Sequence, residues 1–409
     1  MLFIMKMRTL IVPEYVPKFQ CLGGACEDTC CKGWSIAIDK PTYLSYRKLK
    51  NPRLKKRLLA IINRDRRSTS DRTYAKMNLN ESGYCPLYTE DGWCGLQQEA
   101  GVEMLPSLCI EYPRAVNVVQ NVYERSMTLS CPEVTRLVLL NEHGLSFTEI
   151  EEPSAFELTR NYKISDPSTA QLLWSLRIAS IRILQNRSAS LENRLIVLGL
   201  FLQAMESLSL QEQLERVEEL AHQYELRLTV PAFIESLEQL PTNLRYQLKM
   251  GRELLAMRLE KFGVKADLFQ SIMSGVVGGL RLEEELPDEA RVEVYETAYQ
   301  EYYKPYMDEH EYMMENYLVN HIFKEVFPLK SESYFTDFRE LVTNYALLKF
   351  LLVGTAATFK GLNEKVIVQV FYGFSRSIEH NATYKKMVNN LLDAIGCQTM
   401  GHMVTLIKN

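Results

Sequence analysis

The placement of cysteine constrains this chain more than any other feature. Of nine cysteines in 409 residues, eight lie at or before residue 131: Cys21, Cys26, Cys30, Cys31, Cys85, Cys94, Cys109 and Cys131. Three explanations compete. Four disulfides would suit an oxidising compartment, but the adjacent pair Cys30–Cys31 makes poor disulfide geometry with each other. Unrelated buried thiols would not concentrate this way, with one cysteine in the following 278 residues. Metal ligation remains, because thiolates are soft donors that suit zinc and iron–sulfur clusters and four of them close either kind of site. Cys397, alone in an apolar C-terminal pattern, reads as a small buried hydrophobe.

Spacing sharpens the metal expectation. Cys21-x4-Cys26-x3-Cys30-Cys31 can present three or four thiolates from one loop, and Gly23 and Gly24 permit the tight turns it requires. Cys85 and Cys131 each precede a proline, which fixes chain direction and removes an amide that would need a partner. Zinc fingers show paired Cys-x2-Cys spacings, which this chain lacks, so an iron–sulfur cluster is favoured with zinc as the alternative. Eight thiols exceed the need of one site. Either two sites exist or some cysteines serve another purpose.

Nothing in the sequence asks for secretion or membrane insertion. The apolar start Met1–Met5 is followed, not preceded, by Lys6 and Arg8, and no small-residue cleavage site appears. The most apolar stretch, Leu341 to Phe359, is interrupted by Thr343, Asn344 and Lys349 and reads as a buried helix. The expected location is the cytoplasm, where thiols stay reduced.

Phe19-Gln20-Cys21-x4-Cys26-x3-Cys30-Cys31, then Cys85-Pro86-Leu87, Cys94 and Cys109-Ile110-Glu111-Tyr112-Pro113-Arg114, resemble the YkgJ-type cysteine cluster, a zinc- or iron-chelating domain. With Glu315-Asn316-Tyr317-Leu318-Val319-Asn320 and Phe327-Pro328, the whole chain resembles the flagellin lysine N-methylase family, FliB. The resemblance implies transfer of methyl groups from S-adenosylmethionine to lysine ε-amino groups of flagellin, with a [4Fe-4S] cluster held by the N-terminal cysteines. Two positions depart from the YkgJ-type pattern. Leu105-Pro106 stands where Arg-Pro is common, and Ile110 follows Cys109 where arginine is common.

Familiar methyl-donor signatures are missing. Gly275-Val276-Val277-Gly278-Gly279 lies in a helical pattern without a preceding strand, so no dinucleotide-type loop is expected. The radical-enzyme spacing Cys-x3-Cys-x2-Cys also fails, because Gly33 occupies the third position after Cys26 and Cys30. Catalytic and donor-binding residues therefore stay unassigned at this stage. A non-enzymatic zinc- or iron-binding adaptor or redox sensor is the alternative function, and a cluster-bearing electron-transfer partner a third.

Charge divides the chain. Through Cys131 there are 19 Lys+Arg against 13 Asp+Glu, whereas the remainder carries 28 against 38. The segment 47–76 alone holds 12 Lys+Arg and 2 Asp+Glu. It is either a solvated face or a dock for an acidic protein or an anionic membrane surface. No aromatic interleaving accompanies the charge, so nucleic acid is not expected.

Apolar periodicity predicts helix over 41–64 and, beyond residue 150, over 167–186, 189–208, 210–225, 230–261, 264–280, 287–327, 333–358, 363–380 and 383–406. Short strands are expected between Arg114 and Leu129. Tyr295, Tyr299, Tyr302, Tyr303 and Tyr306 share one helical face, kinked at Pro305. They form either an aromatic core stripe or a wall for a lysine side chain. Glu315, Asn316 and Asn320 either brace neighbouring elements or contact substrate. The scattered histidines lack ligand spacing. The fold expected is mainly α, with a cysteine-rich metal or iron–sulfur domain at 1–135 and a multi-helix domain at 136–409.

Overall fold

The structure, a computed structural model, describes residues 7–153, 162–262, 267–331 and 333–409. Helix dominates, and two β-sheets are built from strands between Met7 and Ile164. Strands β1 (Met7–Pro13), β2 (Ala37–Ile38), β3 (Ile62–Arg64), β4 (Ala75–Met77), β5 (Arg114–Val119), β6 (Val122–Met127), β7 (Phe147–Pro153) and β8 (Lys163–Ile164) form them. One sheet has the order β7-β1-β6-β5-β8 and the other β2-β4-β3. β5 and β6 are the short strands expected between Arg114 and Leu129, and they pair as a hairpin turning at Gln120, whose φ is 55°. β1 pairs in parallel with β6 and antiparallel with β7, so residues far apart in sequence complete the sheet. Polar runs such as β7 carry too little apolar alternation to announce themselves as strands.

Among the described residues there are two main apolar cores, which part within the first 135 residues, and a small satellite of Val119, Ala170, Leu173 and Val326. The smaller of the two main cores gathers Ile36, Ile38, Tyr46, Leu54, Leu58, Ile62, Ala75, Met77, Leu87, Leu96 and Leu105 around the three-stranded sheet. The larger joins Leu10, Val12, Tyr15, Met127 and Leu129 to the helices that follow. β1 and β6 thus belong to the helical body. Buried polar pairs fix that union. The Arg177 guanidinium donates to both Glu124 oxygens at 2.6 and 2.9 Å, pinning helix Pro167–Gln185 to β6. The Tyr15 hydroxyl donates to Asn320 Oδ1 at 2.6 Å, while Asn320 Nδ2 donates to the Met127 carbonyl at 3.2 Å.

The predicted 41–64 helix is two helices and a strand. Asn51 caps Pro52–Ile61 by accepting from the Arg53 and Leu54 amides, and that cap ends Lys40–Arg47 beforehand. Most cations of 47–76 are exposed along this face, some paired, as Arg57 is with Glu99 at 2.7 Å. Beyond residue 163 the helices follow the predicted windows closely. Pro241 separates Pro231–Glu238 from Leu244–Phe262, and the last window divides into Ala382–Ala394 and Met400–Ile407. Tyr334–Phe359 is the one described helix long and apolar enough to cross a membrane, and 89% of its most apolar window is buried against protein. It is the core helix expected there.

The tyrosine segment is not one continuous α-helix. Asp288–Thr297 passes into a π turn, Ala298–Tyr303, then into Lys304–Met307, and Tyr312–Lys324 follows. Pro305 cannot donate to the carbonyl of Glu301, which suits a changed bonding register just before it. Tyr295 and Tyr303 are buried in the large core, and Tyr299 stacks on Tyr303 with ring centroids 5.3 Å apart. The stripe is core packing. Lys360 of the chain itself lies over Tyr302 at 4.5 Å.

Candidate thiol-lined site

All eight N-terminal cysteines line one cavity of about 340 Å³ where the two cores meet. Cys397 is elsewhere, fully buried in the large core as expected. Every cysteine is a free thiol. Cys31, Cys85, Cys94 and Cys109 pack against the small core, whereas Cys131 packs against the large one. The cavity is a seam with thiols on both sides.

Local backbone geometry explains the convergence. After Cys21 the chain makes a tight 3-10 turn, Gly23–Ala25, with Gly23 at φ 54°. The Trp93 ring lies so close that a Cβ on Gly23 would sit 2.3 Å from it, so only glycine fits. The Cys85 amide donates to the Cys31 carbonyl at 2.7 Å, and bridges Lys32–Tyr84 and Tyr88–Cys94 extend this pairing. Cys109 sits on the short helix Ser107–Glu111, whose first amide donates to Asp39 Oδ2 at 3.1 Å. Asp39 also caps helix Lys40–Arg47, so one carboxylate orients two elements at the small core. Cys131 immediately precedes helix Pro132–Leu139.

The thiols differ in acidity through their neighbours. Cys31 hydrogen-bonds both Cys30 and Cys94, and those contacts hold its own proton tightly. Cys30 falls to about 7, first through its bond from Cys31, and the Arg376 guanidinium also favours its thiolate. Cys94 falls to about 6, again chiefly through Cys31, helped by the Leu96 and Gln97 amides. Burial pushes Cys85 up to about 11 and Cys131 up to about 12, and raises Cys26 and Cys109 as well. Cys30, Cys31 and Cys94 therefore form a contiguous thiol–thiolate run. Cys21, Cys26 and Cys131 influence one another, so they make a second neighbourhood.

Among the described residues, no group of three or more His, Cys, Asp or Glu side chains is set out to hold a metal ion. The thiols share a cavity without forming a closed coordination shell. The donor set nonetheless fits a thiolate-ligated group in softness and number, and Cys30 and Cys94 already have lowered pKa values.

No motif in the sequence pointed to Arg376 or Ser130 at the cavity wall, or to His380 behind Ser130. Arg376, 245 positions beyond Cys131, donates to Asp28 Oδ2 at 2.5 Å and to the Thr29 and Lys32 carbonyls at 3.0 and 2.6 Å. Its only signal is a cation inside an apolar helical run. The Tyr112 hydroxyl lies 3.2 Å from Ser130 Oγ, which lies 3.1 Å from His380 Nε2. Glu315, Asn316 and Asn320 brace the fold, away from this cavity. Glu315 is clasped by Arg187 and Arg194, and Asn316 Nδ2 donates to the Val138 and Asn141 carbonyls.

Comparison with known proteins connects this architecture to a family. The family model for the FliB lysine N-methylase C-terminal domain matches residues 177–406, most of the helical body and Arg376 with it. The flagellar biosynthetic protein FliU of Salmonella muenchen is 33% identical over 159 residues, covering 39% of this chain and 93% of that protein. Lysine-N-methylases of Salmonella typhimurium and Salmonella choleraesuis are each 33% identical over 146 residues, 36% of this chain and 36% of each relative. The chain thus aligns with about a third of those two enzymes. No solved structure matches it. Since the family model spans over half of the chain, the protein belongs to the FliB lysine N-methylase family.

Proposed function

We propose that this protein is a cytoplasmic methyltransferase that moves methyl groups from S-adenosylmethionine to lysine ε-amino groups of flagellin, and that it depends on a thiolate-held [4Fe-4S] cluster. The observation that carries the activity is the family match over residues 177–406, together with relatives named lysine-N-methylase and flagellar biosynthetic protein. The observation that supports a thiolate-held centre is the gathering of eight thiols at one cavity.

The chemistry sets the demands. A lysine ammonium has no lone pair, so it must lose a proton before its nitrogen can attack a methyl carbon. When bound, the donor supplies that carbon on a sulfonium, and the cluster supplies a thiolate-anchored iron centre. Cys30, Cys31 and Cys94 would hold the cluster, with Cys85 and Cys109 on the same wall. Ser130 Oγ, lining the cavity beside Cys131, can accept a proton at the wall and pass its own to His380 Nε2. His380 is buried and held neutral, first by desolvation and then by nearby Lys324, which leaves it free to accept.

Co-expression with flagellin, followed by peptide mass spectrometry, tests the proposal. Mono- or polymethylated flagellin lysines that disappear with Cys30→Ser support it. Unmodified lysines beside folded, metal-loaded protein would reject methylation and favour the adaptor alternative.

A further inference from the structure

Helix Glu364–Phe374 runs without a break into a π turn, Ser375–Glu379, before His380. Such turns are uncommon and recur at functional positions, because one extra residue rotates the following side chains out of helical register. Here the register change sends successive side chains to two places. Arg376 reaches the cysteine loop, where its guanidinium meets Asp28 and the Thr29 and Lys32 carbonyls, which flank Cys30 and Cys31. Ser375, Glu379 and His380 face inward. Ser375 Oγ donates to Glu379 Oε2 at 2.6 Å, and the Tyr317 hydroxyl donates to Glu379 Oε1 at 2.8 Å. His380 Nε2 sits 3.1 Å from both Thr128 Oγ1 and Ser130 Oγ, just before Cys131.

We propose that the π turn Ser375–Glu379, with His380, is the clamp that closes the thiol cavity, Arg376 being the positioning residue for the Cys30–Cys31 loop. The turn grips the loop on one side of the seam and the approach to Cys131 on the other. Its footing is firm, since helix Glu364–Phe374 packs against helix Pro132–Leu139. Backbone pairing with the neighbouring strand segment holds the end of the loop, where the Cys85 amide donates to the Cys31 carbonyl and the Gly33 amide to the Gly83 carbonyl. Its other ion pair is Arg136–Glu27, with side chains 32% and 36% exposed. Arg136 grips Glu27 with two hydrogen bonds, but the Arg376–Asp28 pair is more buried, 18% and 21% exposed, and adds two carbonyl acceptors next to Cys30 and Cys31. Arg376 therefore holds the Cys30–Cys31 part of the loop more strongly than Arg136 does. The effect on bound metal rests on the thiolate-centre proposal above, but the effect on the loop does not.

The full chain, purified without oxygen as wild type, Arg376→Ala, Arg376→Lys and Arg136→Ala, provides the test. Hydrogen exchange of amides 26–34 is measured after chelation, and release of bound iron to a chelator is followed before it. Arg376→Ala should speed exchange of that segment about tenfold, with the core helix Tyr334–Phe359 unchanged. Arg376→Lys should be intermediate, because one ammonium cannot span a carboxylate and two carbonyls as a planar fork does. Arg136→Ala should speed exchange less than Arg376→Ala does. Iron release should quicken in the same order. Unchanged exchange in Arg376→Ala overturns the clamp, as does an Arg136→Ala effect of equal size. If the exchange order holds while wild type carries no iron, the clamp stands and the cluster proposal fails.

Discussion

Removing the Glu315 charge should cost stability and leave chemistry intact. Glu315 is 1% exposed on helix Tyr312–Lys324, and its Oε2 accepts from Arg194 Nη1 at 2.6 Å and from Arg187 Nε at 3.0 Å. Its Oε1 accepts from Arg187 Nη2 at 2.9 Å. Arg194 is also 1% exposed, so Glu315→Gln leaves a buried guanidinium with Glu311 as its remaining carboxylate. Breaking a buried pair from one side costs about 3–5 kcal/mol, and the surviving Glu311 contact favours the lower end. Unfolding entropy near 2 cal/mol/K per residue gives roughly 0.9 kcal/mol/K for 409 residues, so a 3 kcal/mol loss lowers the melting midpoint by about 3–4 °C. Differential scanning calorimetry measures the shift, and flagellin methylation well below both midpoints measures the chemistry. A midpoint shift under about 1 °C would refute the bracing role. Lost methylation with unchanged stability would instead place Glu315 at substrate.

Further expectations concern the seam. Gly24→Ala should disrupt the cavity rim, because the added Cβ would lie 2.5 Å from the Asp91 carbonyl, and backbone cannot swing aside as a side-chain tip can; metal content per folded chain reads this out. Cys26→Ser or Cys30→Ser should abolish cluster absorbance, whereas Cys397→Ser, buried in the large core, should retain it. Full metal content in both of the first two variants would show that the ligand set lies elsewhere. Acidification should destabilise the protein. His380 has its pKa depressed from 6.5 by burial and by Lys324, with Lys385 adding to the effect and Glu379 and Glu325 opposing it. The unfolded chain therefore binds more protons below about 6.5, and stability falls as pH drops from there toward the folded value. His380→Gln should flatten that part of a melting-midpoint profile, and an unchanged slope would assign the loss to other groups.

Much of the helical body was legible because long apolar periodicities dictate helix whatever their partners. Tyr334–Phe359 and Pro167–Gln185 follow directly from such patterns. What escaped depends on residues distant in sequence. β1 and β7, about 140 positions apart, find each other only through tertiary pairing, and the 41–64 window broke because Asn51 and Pro52 begin a new helix. At the site, the cysteines declared themselves through their chemistry and concentration. Arg376 could not, since one cation in an apolar run looks the same whether it snorkels to solvent or reaches across to Asp28. The tyrosine face illustrates the converse: periodicity located it correctly, but burial of Tyr295 and Tyr303 determined that it packs the core.

Metal analysis of protein purified without oxygen tests the claim that these thiols form one functional centre. The account predicts brown protein with about four irons per chain, lost on Cys30→Ser. Colourless protein that holds zinc, or no metal with all eight cavity thiols freely alkylated, would contradict it.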